Sequence, residues 1–343
     1  MAKENTAPQP IGVVSMGSND IHLLVAATDG AARFDRLLDQ SAEVELVGAE
    51  VEAGGHPILP SAALASARGV MADLIARARS AGARHVIAVG TEALREAANG
   101  AAFCSLLAAT FGIEAVVIAG EEEAGLDYAW AAFPTPPESP LVVVDSGGGS
   151  TQVIVGKGLS AVAAVSLPIG AGNLTRRFIA HDPPRAREIE ALSAHVATLM
   201  DQLPKLDAAA LATAILMGGS ADHLVALSAH PKQRRLSRVE LDAAIALSQR
   251  KAANKVAREY KLPAQRGRLV AAGAIILGQV LAHYHLDTAQ VKTDGIRGGL
   301  IVRYARHGDA WRPGLALHSP PDDQAKAAVA GAPRARRSRT AIK

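Results

Sequence analysis

The most constraining feature is a pattern that occurs twice, once on each side of a proline-rich break. Ile11–Met16 (IGVVSM) is a short apolar run that ends at Gly17-Ser18-Asn19-Asp20, after which Ile21–Ala27 (IHLLVAA) is apolar again. Leu141–Asp145 (LVVVD) likewise meets Ser146–Ser150 (SGGGS) and resumes at Thr151–Val155. Runs rich in β-branched residues, interrupted by a tight Gly/Ser turn, read as strand–turn–strand. Between the two units, Phe133–Pro140 (FPTPPESP) cannot continue a helix and marks the break between halves. A chain of 343 residues is long enough for two domains, each with its own core.

The intervening segments alternate between strand and helix patterns. In the first half, helices are expected over Ser61–Arg79, Glu92–Ala98 and Glu121–Ala132, with strands at Arg84–Val89 and Glu114–Ile118. In the second half, the pattern predicts a helix around Pro184–Asp201, a strand Ala214–Met217, a helical stretch Arg238–Tyr260, a helix Leu269–Tyr284 and a closing turn DGIRGG at 294–299. The expected organisation is a polar leader over 1–10, domains over 11–133 and 134–307, and a disordered basic tail over 308–343.

Composition excludes several classes. The single cysteine, Cys104, allows neither an internal disulfide nor a Cys-based zinc site. The N-terminal decapeptide lacks the apolar core of a signal peptide, and no run reaches the ~18 apolar residues of a membrane helix. A cytoplasmic protein without a membrane partner is the expectation. The net charge of +3 gives no basic field for nucleic acid. Residues 324–343 carry six basic and no acidic side chains, which leaves 30 basic against 33 acidic in the rest. The body is mildly acidic, so any polyanion must be held by local groups.

The glycine turns supply such groups. A strand that ends in a Gly/Ser turn leaves backbone N–H groups free to cradle phosphate, because no side chain blocks the approach. One turn in each half suggests a phosphate clamped between two domains.

These residues carry a resemblance. GSNDIHLLV resembles the first phosphate motif (DxGSNSxxLLV) of the exopolyphosphatase / guanosine pentaphosphate phosphohydrolase (Ppx/GppA) family. In the same order, GTEALREAANG (90–100) is similar to ATxAlRxAxN, IAGEEEAGLDY (118–128) to ISGxEEAxLiY, and VVVDSGGGSTQ (142–152) to vxDIGGGSTE. SLPIGAGNLTRRF (166–178), MGGSADHL (217–224) and GIRGGLI (295–301) follow the family's later segments. The resemblance implies an α/β fold of two ribonuclease-H-like domains of the actin-like ATPase superfamily, facing an interdomain cleft, in the short two-domain form. It also implies a homodimer that removes terminal phosphate from inorganic polyphosphate or guanosine pentaphosphate with Mg²⁺, or Mn²⁺ in its place.

Residue by residue, the resemblance makes Glu123 the carboxylate that activates water and Asp145 the metal- or water-orienting aspartate, both available to the metal. Gly17, Ser18 and Asn19 would hold phosphate from one side; Gly147, Gly148, Gly149, Ser150 and Thr151 would do so from the other. Arg95 and Arg297 fall at the family's arginine positions, where a planar guanidinium fork matches phosphate oxygens. Glu121 and Glu122 read as helix-starting acids that favour the helix dipole, and His22 as an ordinary strand residue.

The departures matter as much. Ser15 stands at the first motif's aspartate, Gln152 at the second motif's glutamate, Asp20 at the second serine of GSNS, and Gly298 at the closing motif's glutamate. Neither Ser15 nor Gln152 can give charge to a metal. Asp20 is a candidate to compensate. Two expectations follow: a hydrolase with a reduced acidic set, or a family member that binds polyphosphate or an alarmone without efficient hydrolysis. An ATP-using kinase of the same superfamily rests on the phosphate turns alone.

Overall fold

The structure is a computed structural model that describes residues 8–46, 50–51, 57–206, 213–313 and 315. The first seven residues of the expected leader, and the expected tail from 316 onward, lie outside the described residues.

The first half begins with β1 (Ile11–Met16), β2 (Asp20–Thr28) and β3 (Phe34–Glu43), then two short strands, β4 (Glu50–Val51) and β5 (Pro57–Ile58), and the helix α1 (Ser61–Ser80). It continues through β6 (His85–Gly90), α2 (Glu92–Glu96), α3 (Gly100–Phe111), β7 (Glu114–Val117) and α4 (Gly120–Ala131). Its main sheet has the order β3-β2-β1-β6-β7, antiparallel across β1–β3 and parallel from β1 to β7.

The second half repeats the scheme. It runs β8 (Leu141–Ser146), β9 (Thr151–Lys157), β10 (Ser160–Leu167), α5 (Ala171–Phe178), α6 (Ala186–Ala197), β11 (Thr213–Met217) and α7 (Gly218–Leu227). Then come β12 (Arg235–Ser237), α8 (Arg238–Arg250), α9 (Ala253–Glu259), α10 (Val270–His283), β13 (Thr288–Val291) and α11 (Gly295–His307). Its sheet has the order β10-β9-β8-β11-β13-β12. In both sheets an antiparallel three-strand meander leads into parallel strands, which is the expected two-lobed actin-like α/β fold.

The outer face of each sheet packs on its own helices. Val14, Met16, Ile21 and Leu23 pack with Met71, Leu74 and Ile75 of α1 in the first lobe. Val142, Val144 and Val153 pack with α6 and α10 in the second. The inner faces share two helices. Leu126 of α4 and Leu300 and Ile301 of α11 join the core of β1, β2 and β6, whereas Ala124, Tyr128 and Trp130 of α4 and Val302 of α11 join that of β8, β9 and β11. Being apolar on both sides, α4 and α11 lie between the sheets and bring their N-termini to the cleft.

Three expectations change. The turn expected at 294–299 is the first turn of α11, and its glycines serve helix crossing. A Cβ at Gly298 would lie 2.5 Å from the Trp130 ring, and one at Gly299 would lie 1.9 Å from the Leu126 carbonyl. The helical stretch expected over 238–260 is two helices separated by extended backbone at Lys251 and Ala252. Residues 308–313, expected to belong to a disordered tail, are instead packed on the first lobe: Trp311 is fully buried and its indole N–H donates to Glu114, while Arg312 pairs with Glu122.

Candidate active site

The cleft between the lobes is lined from one side by Ser15, Gly17, Ser18, Asn19, Asp20 and His22, and from the other by Asp145, Gly147–Ser150 and Gln152. Glu123 and Arg297 reach it from the two central helices.

Each glycine turn is aimed by what its carbonyls bind. The carbonyls of Gly147 and Gly148 accept from the N–H groups of Ala171 and Asn173, and the Gly149 carbonyl accepts from Asn173 Nδ2 at 2.9 Å. In a trans peptide the N–H points opposite to the C=O, so the N–H groups of Gly148, Gly149 and Ser150 are turned from α5 toward the cleft. In the first lobe, the Ser18 and Asn19 carbonyls accept from Leu46 and Val44, which turns the N–H groups of Asn19 and Asp20 the other way. Two such nests facing each other form a ready anion site. Glu92 stands between them: Ser18 Oγ donates to its Oε2 at 2.9 Å, and a Cβ on Gly149 would meet that oxygen at 1.9 Å.

Glu123 is buried in the first turn of α4 and receives Arg95 Nη1 at 3.1 Å. Burial pushes its carboxyl up to about 7 against the pull of Arg95, which suits a group that must take a proton near neutrality. Glu122 reaches back instead and accepts from the Ala119 N–H at 2.8 Å, so it caps the helix.

Asp145 sits at the end of β8, paired in register with Gln152 on β9 and Met217 on β11. Burial raises its carboxyl to about 6. Gly218, at a φ of +82°, lets the backbone pass so close that a Cβ there would lie 2.2 Å from Asp145 Oδ1. Ser15 and Gln152 make hydrogen bonds where the family's motifs have carboxylates. Arg297 Nη1 donates to Ser15 Oγ at 3.3 Å, and Gln152 Nε2 donates to Ser150 and Ser166 at 2.9 and 3.1 Å.

Among the expected phosphate ligands, the N–H groups of Gly17 and Gly147 close their own turns on the carbonyls of Asp20 and Ser150, both at 3.0 Å, and Thr151 and Arg95 are placed elsewhere. Thr151 is fully buried, and its hydroxyl is spent on the Ile169 carbonyl at 2.6 Å. Arg95 is engaged by Glu123 and by the Ile118 carbonyl at 2.9 Å, so it fixes the carboxylate instead of facing the cleft. Asp20, considered above as a metal ligand, forms an ion pair with Arg266 of the other lobe. His22, read as a bland strand residue, does line the cleft; burial and then Arg297 push its imidazole down to about 4.

The residue that sequence reasoning missed is Asp127, four positions after Glu123 on α4. It is fully buried and its carboxyl is held well above the ordinary range, first by burial and then by the charge of Asp145. The signal was present: the pattern ISGxEEAxLiY has an apolar residue at the position that Asp127 occupies in IAGEEEAGLDY.

Among the described residues, no group of three or more His, Cys, Asp and Glu side chains is arranged to hold a metal, and no helix is long and apolar enough to cross a membrane. The chain matches the model of the Ppx/GppA phosphatase family over residues 24–307. It is 28% identical over 317 residues to exopolyphosphatase 1 of Mycobacterium leprae, covering 85% of this chain and 88% of that protein. It is 31% identical over 179 residues to a guanosine-5'-triphosphate,3'-diphosphate pyrophosphatase of Vibrio vulnificus, covering 52% of this chain and 35% of that one. Among solved structures, the Aquifex aeolicus Ppx/GppA family member superposes with a TM-score of 0.73 at 25% identity, covering 86% of this chain and 96% of that one.

Proposed function

The chain belongs to the Ppx/GppA phosphatase family, and from that premise we propose that it is a cytoplasmic phosphoanhydride hydrolase. It releases terminal phosphate from inorganic polyphosphate or guanosine pentaphosphate with the aid of a divalent cation. The observation that carries this reading is Glu123, a buried carboxylate fixed by Arg95 at the mouth of a helix and open to a cleft walled by two N–H nests.

The reaction needs a positioned water, neutralised phosphate oxygens and little covalent help from the protein. The N–H groups of Asn19 and Asp20 and of Gly148, Gly149 and Ser150 take the phosphate oxygens, and Arg297 adds a positive charge in the cleft. Glu123, with its carboxyl near 7, orients the water and accepts its proton as the water oxygen attacks phosphorus. The bond to the leaving phosphate then breaks, and that group departs with the charge.

A divalent cation fits the residues present. Asp145 has a glycine beside each oxygen, with a Cβ on Gly218 falling 2.2 Å from one and a Cβ on Gly295 falling 3.1 Å from the other. Mg²⁺ takes one or two carboxylates and completes its shell with water and substrate oxygens. When bound, it would neutralise charge on the transferred phosphoryl group. Asp20 is not offered as a ligand because Arg266 occupies it.

Phosphate release from polyphosphate and from guanosine pentaphosphate, with Mg²⁺ or Mn²⁺, tests this reading beside calorimetric binding of the same ligands. Release supports it. Binding without release favours the second reading, a polyphosphate- or alarmone-binding protein, which the neutral Ser15 and Gln152 support. The family resemblance extends either reading to a homodimer, which light scattering tests.

A further inference from the structure

The turn between β7 and α4 leads into Glu123, and the strand before it is held from one side only. Strand β7 stands at the edge of the first sheet, next to β6, and an edge strand leaves its outer row of backbone groups without a ladder. Chain beyond α11 takes up that side. Trp311 is fully buried in the core that holds Ile11, Val13, Leu24 and Val89, and its indole N–H donates at 3.1 Å to Glu114, where β7 begins. Arg312 reaches the strand's other end. Its Nη2 donates to the Val117 carbonyl at 3.2 Å and to Glu122 Oε2 at 2.8 Å, while its Nε donates to Glu122 Oε1. This strap is itself fixed from two sides. Arg303 of α11 donates to the Trp311 and Pro313 carbonyls, both at 2.8 Å, and Leu315 is buried against α4, where a Cβ on Gly125 would lie 2.7 Å from its carbonyl oxygen.

Two arginines therefore grip one turn. Arg95 holds the Ile118 carbonyl and Glu123; Arg312 holds the Val117 carbonyl and Glu122, the residues next to them. Each guanidinium ties the end of β7 to the first turn of α4, and its planar fork fixes direction as well as distance. A partly exposed pair such as Arg312 with Glu122 adds little to stability. What it fixes is geometry. Arg312 also lies outside residues 24–307, over which the chain matches the family model. We propose that Arg312 is a positioning residue for Glu123: by tying Glu122 to the end of β7, it keeps the neighbouring carboxylate aimed into the cleft. This inference rests on the hydrolase reading for its effect on rate, and not for the hold on the turn.

The test is Arg312→Met in the full chain, which keeps an unbranched apolar stem and removes the fork. Steady-state phosphate release from polyphosphate with Mg²⁺ is measured beside hydrogen exchange of the segment 117–124, read by mass spectrometry. The variant is expected to lose about tenfold or more in kcat with KM nearly unchanged, since a small misplacement of a catalytic group is enough for that. Its exchange is expected to quicken about tenfold across 117–124, as loss of a local tie should give, and to stay unaltered in β1 and α1. Arg312→Lys, with a single ammonium in place of the fork, is expected to recover part of both. If Arg312→Met does not fold, Glu122→Gln, whose amide oxygen can still cap the helix, opens the same pair from its other side and carries the same expectation. Wild-type kcat in the variant, a loss seen in KM alone, or unaltered exchange across 117–124 overturns the proposal. If wild type itself releases no phosphate, the hydrolase reading falls and exchange decides alone: faster exchange in the variant keeps the hold on the turn, and unaltered exchange removes that as well.

Discussion

At the scale of single residues, the cleft sets carboxylates among groups that are built for anions. Glu123 is raised to about 7 by burial, so it is largely protonated below that pH and cannot accept a proton from water. The rate is therefore expected to rise with pH through about 7 and to level off above it, with the limb moved lower when cation charge is close by. A rate that falls across that range contradicts the assignment. Glu92 is the opposite case. Its carboxylate lies between Ser18 and Gly149, where it repels the phosphate that the nests would bind. Glu92→Gln is expected to tighten tripolyphosphate binding by about threefold or more at low salt, with a smaller gain at high salt, as screening requires; calorimetry at two ionic strengths reads it. Glu123 and Asp145 were singled out in the sequence by the family resemblance and the glycines by the strand–turn pattern, and all of them line one cleft. Asp127 was passed over, although the apolar position of the family pattern marked it, because a lone acid on a helix normally faces water and only the burial of α4 on both sides makes it exceptional.

At the scale of elements, the crossing of α4 and α11 aligns Glu123, Asp127 and Arg297. The crossing depends on glycines. Gly298 stands where the family pattern has glutamate, and a Cβ there would run into Trp130, whose indole also carries Lys292 4.3 Å over its ring. Gly298→Ala is expected to destabilise the fold by about 1–3 kcal/mol through overpacking, seen as a lower Tm in a thermal melt. Coupling to Gly298→Ala, Trp130→Leu is expected to recover part of that loss. An unchanged Tm in the single variant would show that the helices have room to separate. The same glycines hid α11 from sequence reading, since a GG pair ordinarily punctuates a turn. The helix α3 was unread for a related reason, as its alanine-rich run shows little contrast between faces. Strands β1, β2, β8 and β9 were plain because each couples an apolar run to a turn with its own chemistry.

At the scale of the molecule, the lobes meet through the groups that would bind substrate. Asp20 of the first lobe pairs with Arg266 of the second, and Asn19 reaches within 2.6 Å of the Cβ position on Gly148. Because the family pattern has serine at position 20, Asp20→Ser is expected to release Arg266 for phosphate and to tighten polyphosphate binding several-fold, with a steeper salt dependence read by titration at two ionic strengths. No change would show that Arg266 lies outside the substrate's path. The mildly acidic body makes that local charge decisive, since no general basic field draws a polyanion in. The division into two similar lobes was legible from the repeated strand–turn–strand unit. That two helices would be shared between the lobes was not, because each helix is apolar toward a partner lying far away in sequence.

The central claim is that Glu123 activates water for attack on a phosphoanhydride held between the two glycine turns. Single-turnover phosphate release from polyphosphate with Mg²⁺, compared between wild type and Glu123→Gln, tests it most directly. The account expects release by wild type, a loss of about 10²–10⁴-fold in the variant as removal of a general base should give, and polyphosphate binding retained by both. Equal release by the two proteins, or none by wild type while it binds the substrate, would contradict it.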